Sequence, residues 1–335
     1  MTTKQLLITL CVGIGLAFTS QNAISQESKA DVINLRLGHV LDAQHAFHKT
    51  FLQFAQDVKK DTNGGVEISV VPSSGLGSLD DMVDQLKFGA LEMTTLFPVQ
   101  LSRMDKKFLM DQFPYLWKDL DTAMVAMHGD VGEIYNKLAL KQGIKILAYL
   151  PTGFRHMTNS VRPIYKPEDL KGLKMRIPNS RLQIETFKLF HVSPTPIVFG
   201  ELYSALQLKT ADGQENPLDT IYTSRFYEVQ KYLSLTSHSL TMGTLSYSKN
   251  LWEKLPQDVQ IVLQKNALKA EDMNLNLLKE SQKNTINLLK EKGMEINEVD
   301  SEAFKKTLKP IYSEYKSVFG PEIVTALKKY ANAEF

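Results

Sequence analysis

Apolar side chains between residues 32 and 61 follow two different spacings. Within residues 32–40 the apolar Ile33, Leu35 and Leu37 occupy alternate positions, which is typical of a β-strand with one buried face. Over 43–61 apolar residues recur every three or four positions, which predicts an amphipathic helix ended by 63–65 (NGG). Further along, the pattern predicts a strand at 66–71, a helix at 79–88 and a strand at 91–97. This alternation favours a mostly parallel sheet covered by helices.

A second α/β group follows the first without a Pro- or Ser-rich linker. We expect a helix over 122–142 that leads into an apolar strand at 144–150. The second group then begins at Pro151, with a strand at 173–177, a helix over 180–190 and another helix after Phe199. Two groups without a linker indicate a chain that crosses between two lobes more than once.

One segment near the C-terminus predicts an unusually long helix. Residues 257–292 contain no Gly or Pro, follow Pro256 and stop at Gly293. An unbroken helix of this length would run about 54 Å at 1.5 Å per residue, which is longer than one small domain is wide. Such a helix would span both lobes, but two helices separated by a kink would show the same pattern.

Composition and charge exclude several classes of protein. The 335 residues are 43% hydrophobic, enough for a sizeable core. The 39 basic and 37 acidic side chains give a formal charge of +2, which does not indicate a partner among nucleic acids or membrane surfaces. Because Cys11 is the only cysteine, neither a disulfide scaffold nor a cysteine-based zinc site is available.

The N-terminus has the three-part pattern of a secretory signal peptide. Lys4 precedes an apolar run at 6–18, and small residues at Ala23 and Ser25 predict cleavage before Gln26, so that 1–25 is removed. The alternative is an uncleaved anchor, but 13 apolar residues are short for the roughly 20 that a bilayer span needs. We therefore expect a mature protein that lies outside the cytoplasm.

Sequence motifs for catalysis and for metal binding are weak. No G-x-S-x-G elbow, Walker loop or H-E-x-x-H pair occurs. His39, Asp42, His45 and His48 could in principle bind a metal ion, but the spacing is common by chance and a structural role is favoured. We expect no cofactor, no metal and no catalytic residue.

Arginine is unevenly distributed along the chain. Five of the seven arginines fall in one stretch: Arg155, Arg162, Arg176, Arg181 and Arg225. Arginine is suited to carboxylates and phosphates because its fork makes two parallel hydrogen bonds, although surface ion pairs also explain such clusters. Arg176 lies inside an apolar strand just before Pro178, where α/β sheets bind ligands in the crevice at the strand ends.

A second candidate site lies at 212–217 (DGQENP). Asn216 precedes a proline, so it is biased to an extended conformation. Its side chain would stand at a helix start, where backbone N–H groups favour an anion. An ordinary helix N-cap is the alternative interpretation.

Several motifs together resemble one family. They are GFR at 153–155, PEDLKGLKMRIPNS at 167–180, SPTPIVFGELYSALQ at 193–207, ADGQENPL at 211–218 and the segment 225–230. In this order they resemble the substrate-binding subunits of tripartite ATP-independent periplasmic (TRAP) transporters. The resemblance implies an α/β, two-lobed periplasmic binding protein (Venus flytrap) with a long helix spanning both lobes. Lobe I would comprise 26–152 and 242–281, and lobe II 153–241 and 282–335.

The resemblance also implies a function and a set of site residues. The protein would be a periplasmic monomer that captures a small organic acid, either a C4-dicarboxylate or a sugar acid such as a uronate. It would deliver this acid to the membrane permease. Arg176 would form the salt bridge with the carboxylate, Arg155 and Asn216 would add hydrogen bonds, and Phe199 would pack over the ligand. Arg181 and His39 complete the candidate substrate-binding residues. A periplasmic sensor subunit for a membrane kinase and, less favoured, an enzyme acting on an organic acid are the alternatives.

Overall fold

The structure of the chain, a computed structural model, describes residues 32–331 apart from the side chain of Lys283. The predicted signal peptide lies outside the described residues. The strands are β1 Ile33–Gly38, β2 Val66–Val71, β3 Met93–Leu96, β4 Ile144–Asn159, β5 Lys174–Ile177, β6 Ser193–Pro196, β7 Gly213–Pro217, β8 Tyr232–Leu235, β9 Leu240–Ser248 and β10 Glu295–Glu298. The α-helices are α1 Ala46–Asp61, α2 Leu79–Phe88, α3 Pro98–Leu101, α4 Leu120–Met127, α5 Asp130–Lys141, α6 Arg181–Leu189, α7 Leu202–Gln207, α8 Leu218–Thr223, α9 Lys249–Trp252, α10 Gln257–Glu291, α11 Ser301–Thr307 and α12 Lys309–Lys328.

The sheet consists of two halves that share strand β4. In the first half β2, β1 and β3 are parallel, and β9 runs antiparallel to both β3 and β4. In the second half β4 pairs antiparallel with β7 and β8, while β7, β5 and β6 are parallel and β10 pairs with β8. The prediction of a mostly parallel sheet is therefore right for the outer strands and wrong at the centre, where β4 and β9 carry the chain between the halves.

Two predicted elements differ from the structure in length. The strand predicted at 144–150 continues to Asn159, because its second part pairs with strands of the other half. The helix predicted over 122–142 is two helices, α4 and α5, which are separated at Gly129. A Cβ atom at Gly132 would clash with the Met127 carbonyl oxygen, so the close approach of the two helices next to the break requires glycine.

The long helix α10 is unbroken over 35 residues, as predicted, so the kinked alternative is wrong. It packs along β4, whose pairing with β9 has irregularities between Ile146 and Ala148 and between Pro151 and Gly153. Next to these points Gln264 donates to the Leu147 carbonyl at 2.7 Å and Asn274 donates to the Pro151 carbonyl at 3.0 Å. Helix side chains thus bond to backbone groups of the irregular strand.

Each half of the sheet has its own apolar core. In the first half α1 buries Phe47, Phe51, Phe54 and Val58, the residues whose spacing predicted the helix. Burial of each such side chain contributes about 1.5–3 kcal/mol. In the second half the buried residues around β5 and α6 include Met175, Ile177 and Phe187. Separate buried clusters around α1 and around β5 support the two-lobed architecture.

Helix α12 packs across the molecule. It contacts α5 and the turn at Lys106–Gln112, and Lys329 just beyond it pairs with Asp130. The Tyr315 hydroxyl of the same helix donates to Glu185 of α6 at 2.8 Å. The C-terminal region therefore does not pack with the second half alone. Among the described helices, none combines the length and the apolar character that a membrane crossing requires.

Candidate ligand-binding site

A cavity of about 450 Å³ lies between the two halves of the sheet. The first half contributes apolar side chains (Val40, Leu41, Leu79, Phe97 and Val99), neutral polar ones that include Gln100 and Gln112, and the carboxylate of Asp80. Both cationic side chains of the lining, Arg155 and Arg176, come from the second half, together with Asn179, Asn216 and Thr220. The cavity thus combines apolar side chains with a few polar groups, as small-molecule sites usually do, and its positive charge lies on one wall.

Strand β5 holds Arg176 at this cavity. Met175 and Ile177 alternate with Arg176 and are fully buried in the core of the second half. Because side chains alternate across a strand, Arg176 points away from that core. The strand pairs with β6 on one side and β7 on the other, and it ends before Pro178. Arg176 therefore lies at the cavity, next to the end of its strand.

Arg176 is buried without an acidic partner. It is 2% exposed, and its Nε donates to the Ile197 carbonyl at 2.9 Å. Within residues 32–331 its two terminal nitrogens make no hydrogen bond and the side chain makes no ion pair of its own. Burial lowers the pKa of Arg176 to about 9, so the group is still cationic at neutral pH. Its free N–H groups suit a ligand carboxylate.

Arg155 is equally buried but fully engaged. It forms a buried ion pair with Glu215 through Nε, and its Nη2 donates to Glu215 Oε1 at 2.8 Å. Nη1 donates to the Thr241 hydroxyl at 2.9 Å, and Nη2 also donates to Asn216 Oδ1 at 3.1 Å. The guanidinium is thereby held flat against the β7 strand, at the cavity wall.

Glu215 is the negative centre of this network. It is fully buried, and its Oε2 lies 3.2 Å from Nε2 of His238. Burial opposes its ionisation, but the Arg155 charge and the hydrogen bonds from His238 and Arg155 outweigh burial and lower the pKa of Glu215 to about 2. Sequence reasoning missed both Glu215 and His238 as site residues. The signal was a carboxylate between two carboxamides in 213–217, but the polar sequence of this strand does not show that it is fully buried.

Asn216 and Phe199 also lie at the cavity. Asn216 is the second-last residue of β7 and has the extended conformation that the following proline predicts. The N-cap of α8 is Pro217, so the alternative interpretation of Asn216 as an N-cap is wrong. Its Nδ2 donates to Gln214 Oε1 at 2.5 Å, so its amide is oriented by its neighbours. The Phe199 ring packs edge-on against Phe226 at 6.3 Å between ring centroids and lines the cavity.

Arg181 and His39 do not line this cavity. The Arg181 side chain is 59% exposed and pairs with Glu185 one turn along α6. His39 is completely buried against Phe51, and its Nε2 lies 3.0 Å from Nδ1 of His48. The structure therefore places two of the six predicted site residues elsewhere.

The histidines near α1 have structural surroundings. The Phe47 N–H donates to Nδ1 of His45, which caps α1, and the other ring nitrogen lies 3.4 Å from Asp219 of α8. Within the described part of the chain no group of three or more His, Cys, Asp or Glu is arranged to hold a metal ion. Burial lowers the pKa of His39 to about 3, so this ring is neutral.

Comparisons with known proteins agree with this architecture. Residues 37–317 match the family model described as bacterial extracellular solute-binding protein, family 7 (DctP). A solute-binding protein of Roseobacter denitrificans is 33% identical over 307 residues, which cover 91% of each chain. The 2,3-diketo-L-gulonate-binding periplasmic protein YiaO of Escherichia coli is 32% identical over 298 residues, 88% of each chain.

A solved structure shows the same fold. The crystal structure of a TRAP periplasmic solute-binding protein from Polaromonas sp. JS666, bound to D-erythronate, has a TM-score of 0.86 and 32% identity to this chain. The alignment covers 90% of this chain and 100% of the Polaromonas chain. The resemblance found in the sequence is confirmed: the chain belongs to the DctP family of extracellular solute-binding proteins, which are the ligand-binding receptors of TRAP transporters rather than enzymes.

Proposed function

We propose that this protein captures a small organic acid in the cavity between its lobes and delivers it to the permease of a TRAP transporter. The single observation that carries the proposal is Arg176, a buried guanidinium at the cavity that has two terminal nitrogens without a partner among the described residues. A buried charge of this kind is costly unless something pairs with it. A ligand carboxylate would complete it with two parallel hydrogen bonds.

The other lining residues would position the acid. Asn216 and the Thr241 hydroxyl are tied to Arg155, so their orientations are set before the ligand arrives. Phe199 would pack over the ligand from the side of β6. Preorganised partners reduce the entropy lost on binding and raise affinity.

Ligand binding would also favour closure of the lobes. The cavity is lined by residues of both halves, so a ligand makes its full set of contacts only when they are together. This difference in affinity between open and closed forms is what a ligand needs to shift the equilibrium. A permease that recognises the closed form would then receive loaded receptor.

The proposal also includes the bounds of the lobes, export and the oligomeric state. Lobe I would comprise 26–152 and 242–281, and lobe II 153–241 and 282–335, with α12 bridging them. The changes of pairing register in β4 and β9 near Gly153 support a hinge there. We further propose export to the periplasm with cleavage after Ser25, and action as a monomer without a nucleic-acid partner.

A thermal-shift screen of the purified mature protein tests the proposal. The panel contains sugar acids, hydroxy acids, oxo acids and dicarboxylates, and binding of each hit is measured by calorimetry. We expect one class of acid to raise the melting temperature as ligand concentration rises. Arg176→Lys should lose most of the affinity, since an ammonium cannot replace the fork.

The matched control is Arg162→Lys. The Arg162 side chain bonds to the backbone carbonyls of Asp169 and Lys171 outside the cavity, so this variant should bind as the native protein does. Stabilisation by no acid, or affinity unchanged in Arg176→Lys, would contradict the proposed function. Mass spectrometry of the recovered ligand should show it unaltered after long incubation.

A further inference from the structure

The charges around the cavity do not contribute equally to ligand binding. Among the residues that line it, the cationic side chains are Arg155 and Arg176. Arg155 is compensated by Glu215, which the low pKa of that carboxyl keeps ionised. The three groups together leave one positive charge, and the free donors belong to Arg176.

The opposite wall offers no second cation. The described residues that line it from the first half are apolar or neutral, with one exception. That exception is Asp80, whose carboxylate pairs with Arg103 at 2.9 Å near the surface. An anionic group of a ligand at this wall would lose hydration without a cation to pair with. It would also lie near the carboxylate of Asp80.

We infer that the ligand carries one carboxylate and an uncharged distal end, and that dicarboxylates are excluded. This rests on the proposed function, since it takes Arg176 as the carboxylate partner. Gln100, Gln112 and Thr152 on the distal wall supply neutral polar groups for hydroxyls, and Val40, Leu41, Phe97 and Val99 pack against carbon. A hydroxylated monocarboxylic acid satisfies both kinds of lining. Glu215 sets this preference by occupying Arg155.

Two of the relatives named above have ligands of this kind. The name of the Escherichia coli protein specifies 2,3-diketo-L-gulonate, and the Polaromonas structure holds D-erythronate. Each of these acids has a single carboxylate. The charge balance of the present cavity gives a physical reason to expect the same here.

The test compares acids that differ only in one terminal group. The tightest ligand from the screen is paired with the acid that adds or removes a terminal carboxylate, as gluconate is paired with glucarate, and both dissociation constants are measured by calorimetry. We expect the monocarboxylate to bind about 100-fold tighter, because the second charge would be buried unpaired. A diacid that binds as tightly as its partner, or is itself the best ligand, overturns the inference.

A variant tests the role of Glu215. Glu215→Gln removes the charge that compensates Arg155, so the ratio of diacid to monoacid affinity should rise at least tenfold. Glu168→Gln, which changes an exposed glutamate, is the matched control and should leave the ratio unchanged. An unchanged ratio in folded Glu215→Gln would contradict the assigned role, and the native acid pair decides the inference if this variant does not fold.

The two levels of the proposal fail in different ways. If a diacid binds well and Arg176→Lys abolishes its binding, the receptor function stands and the single-carboxylate inference is wrong. If no acid binds, or if binding is insensitive to Arg176, the proposed function itself is wrong.

Discussion

Arg155 and Arg176 are the same residue type on strands that flank β7, and both are buried. Their surroundings differ in one respect. Arg155 bonds to an ionised carboxylate, a hydroxyl and a carboxamide, whereas Arg176 bonds to one backbone carbonyl. The protein therefore supplies hydrogen-bond partners and a compensating charge for the Arg155 guanidinium, but no compensating charge for that of Arg176.

This difference separates a scaffold from a binding group. A buried charge with a hydrogen-bonded partner holds its neighbours in place, and removing one member leaves the other uncompensated. A buried charge without a partner lowers the stability of the empty protein, and a ligand of opposite sign removes that cost. The arginine that contributes least to stability is thus the one best suited to bind an anion.

The largest expected effect is on ligand affinity in Arg176→Met. Loss of a bidentate, charge-assisted pair should weaken acid binding by about 1000-fold, as measured by calorimetry. The melting temperature of the ligand-free variant should be equal to or higher than that of the native protein, because an unpaired buried charge has been replaced by an apolar side chain. A clearly lower melting temperature would show that Arg176 is part of the scaffold.

The second prediction concerns the stability of Arg155→Met. Leaving Glu215 buried without its partner should lower the free energy of unfolding by about 3–5 kcal/mol in urea denaturation. The double variant Arg155→Met with Glu215→Leu removes both charges and should recover most of that loss. Equal stability of the single variant and the native protein would mean that the pair does not hold β4 to β7.

The third prediction uses the pH dependence of stability. Burial lowers the pKa of His39 and of His156 to about 3, whereas an unfolded histidine titrates near 6.5. The unfolded state therefore binds more protons below pH 6.5, and stability should fall as the pH is lowered from there. The loss at pH 4.5 should be about 3 kcal/mol for each histidine.

Glu215 should respond at lower pH. Its pKa is about 2 against 4.5 for an ordinary glutamate, so its contribution is present above pH 4.5 and is lost as the pH falls toward 2. Urea unfolding at pH 7.5, 6.0, 5.0 and 4.0 should show the histidine phase first. His156→Gln should reduce that phase by about half, since His39 still contributes. A stability that is constant from pH 7.5 to 5.0 would contradict the assignment of neutral buried histidines.

The smallest expected effect is that of Arg181→Ala. This arginine lies five residues from Arg176 but is exposed on α6 and paired with Glu185. Exposed pairs contribute little, so acid affinity should be unchanged in calorimetry. A marked loss of affinity would show that Arg181 is part of the binding site after all.

The local spacing of apolar residues, Gly and Pro was enough to predict helices such as α1 and α10. The apolar spacing of α1 identified the face that is buried, and the absence of Gly and Pro between Pro256 and Gly293 identified α10. Motif order identified the family and with it Arg176. These features depend on neighbours within a few turns of the chain, which the sequence displays directly.

Other features were decided by contacts between distant segments. The extension of β4 reflects partners from both halves of the sheet. Arg155 and Glu215 are 60 residues apart and meet only because β4 and β7 pair. The sequence by itself determined that arginines of this segment could meet an anion. Only the tertiary structure decided which one the protein neutralises, because compensation of a buried charge depends on what lies within a few ångströms in space.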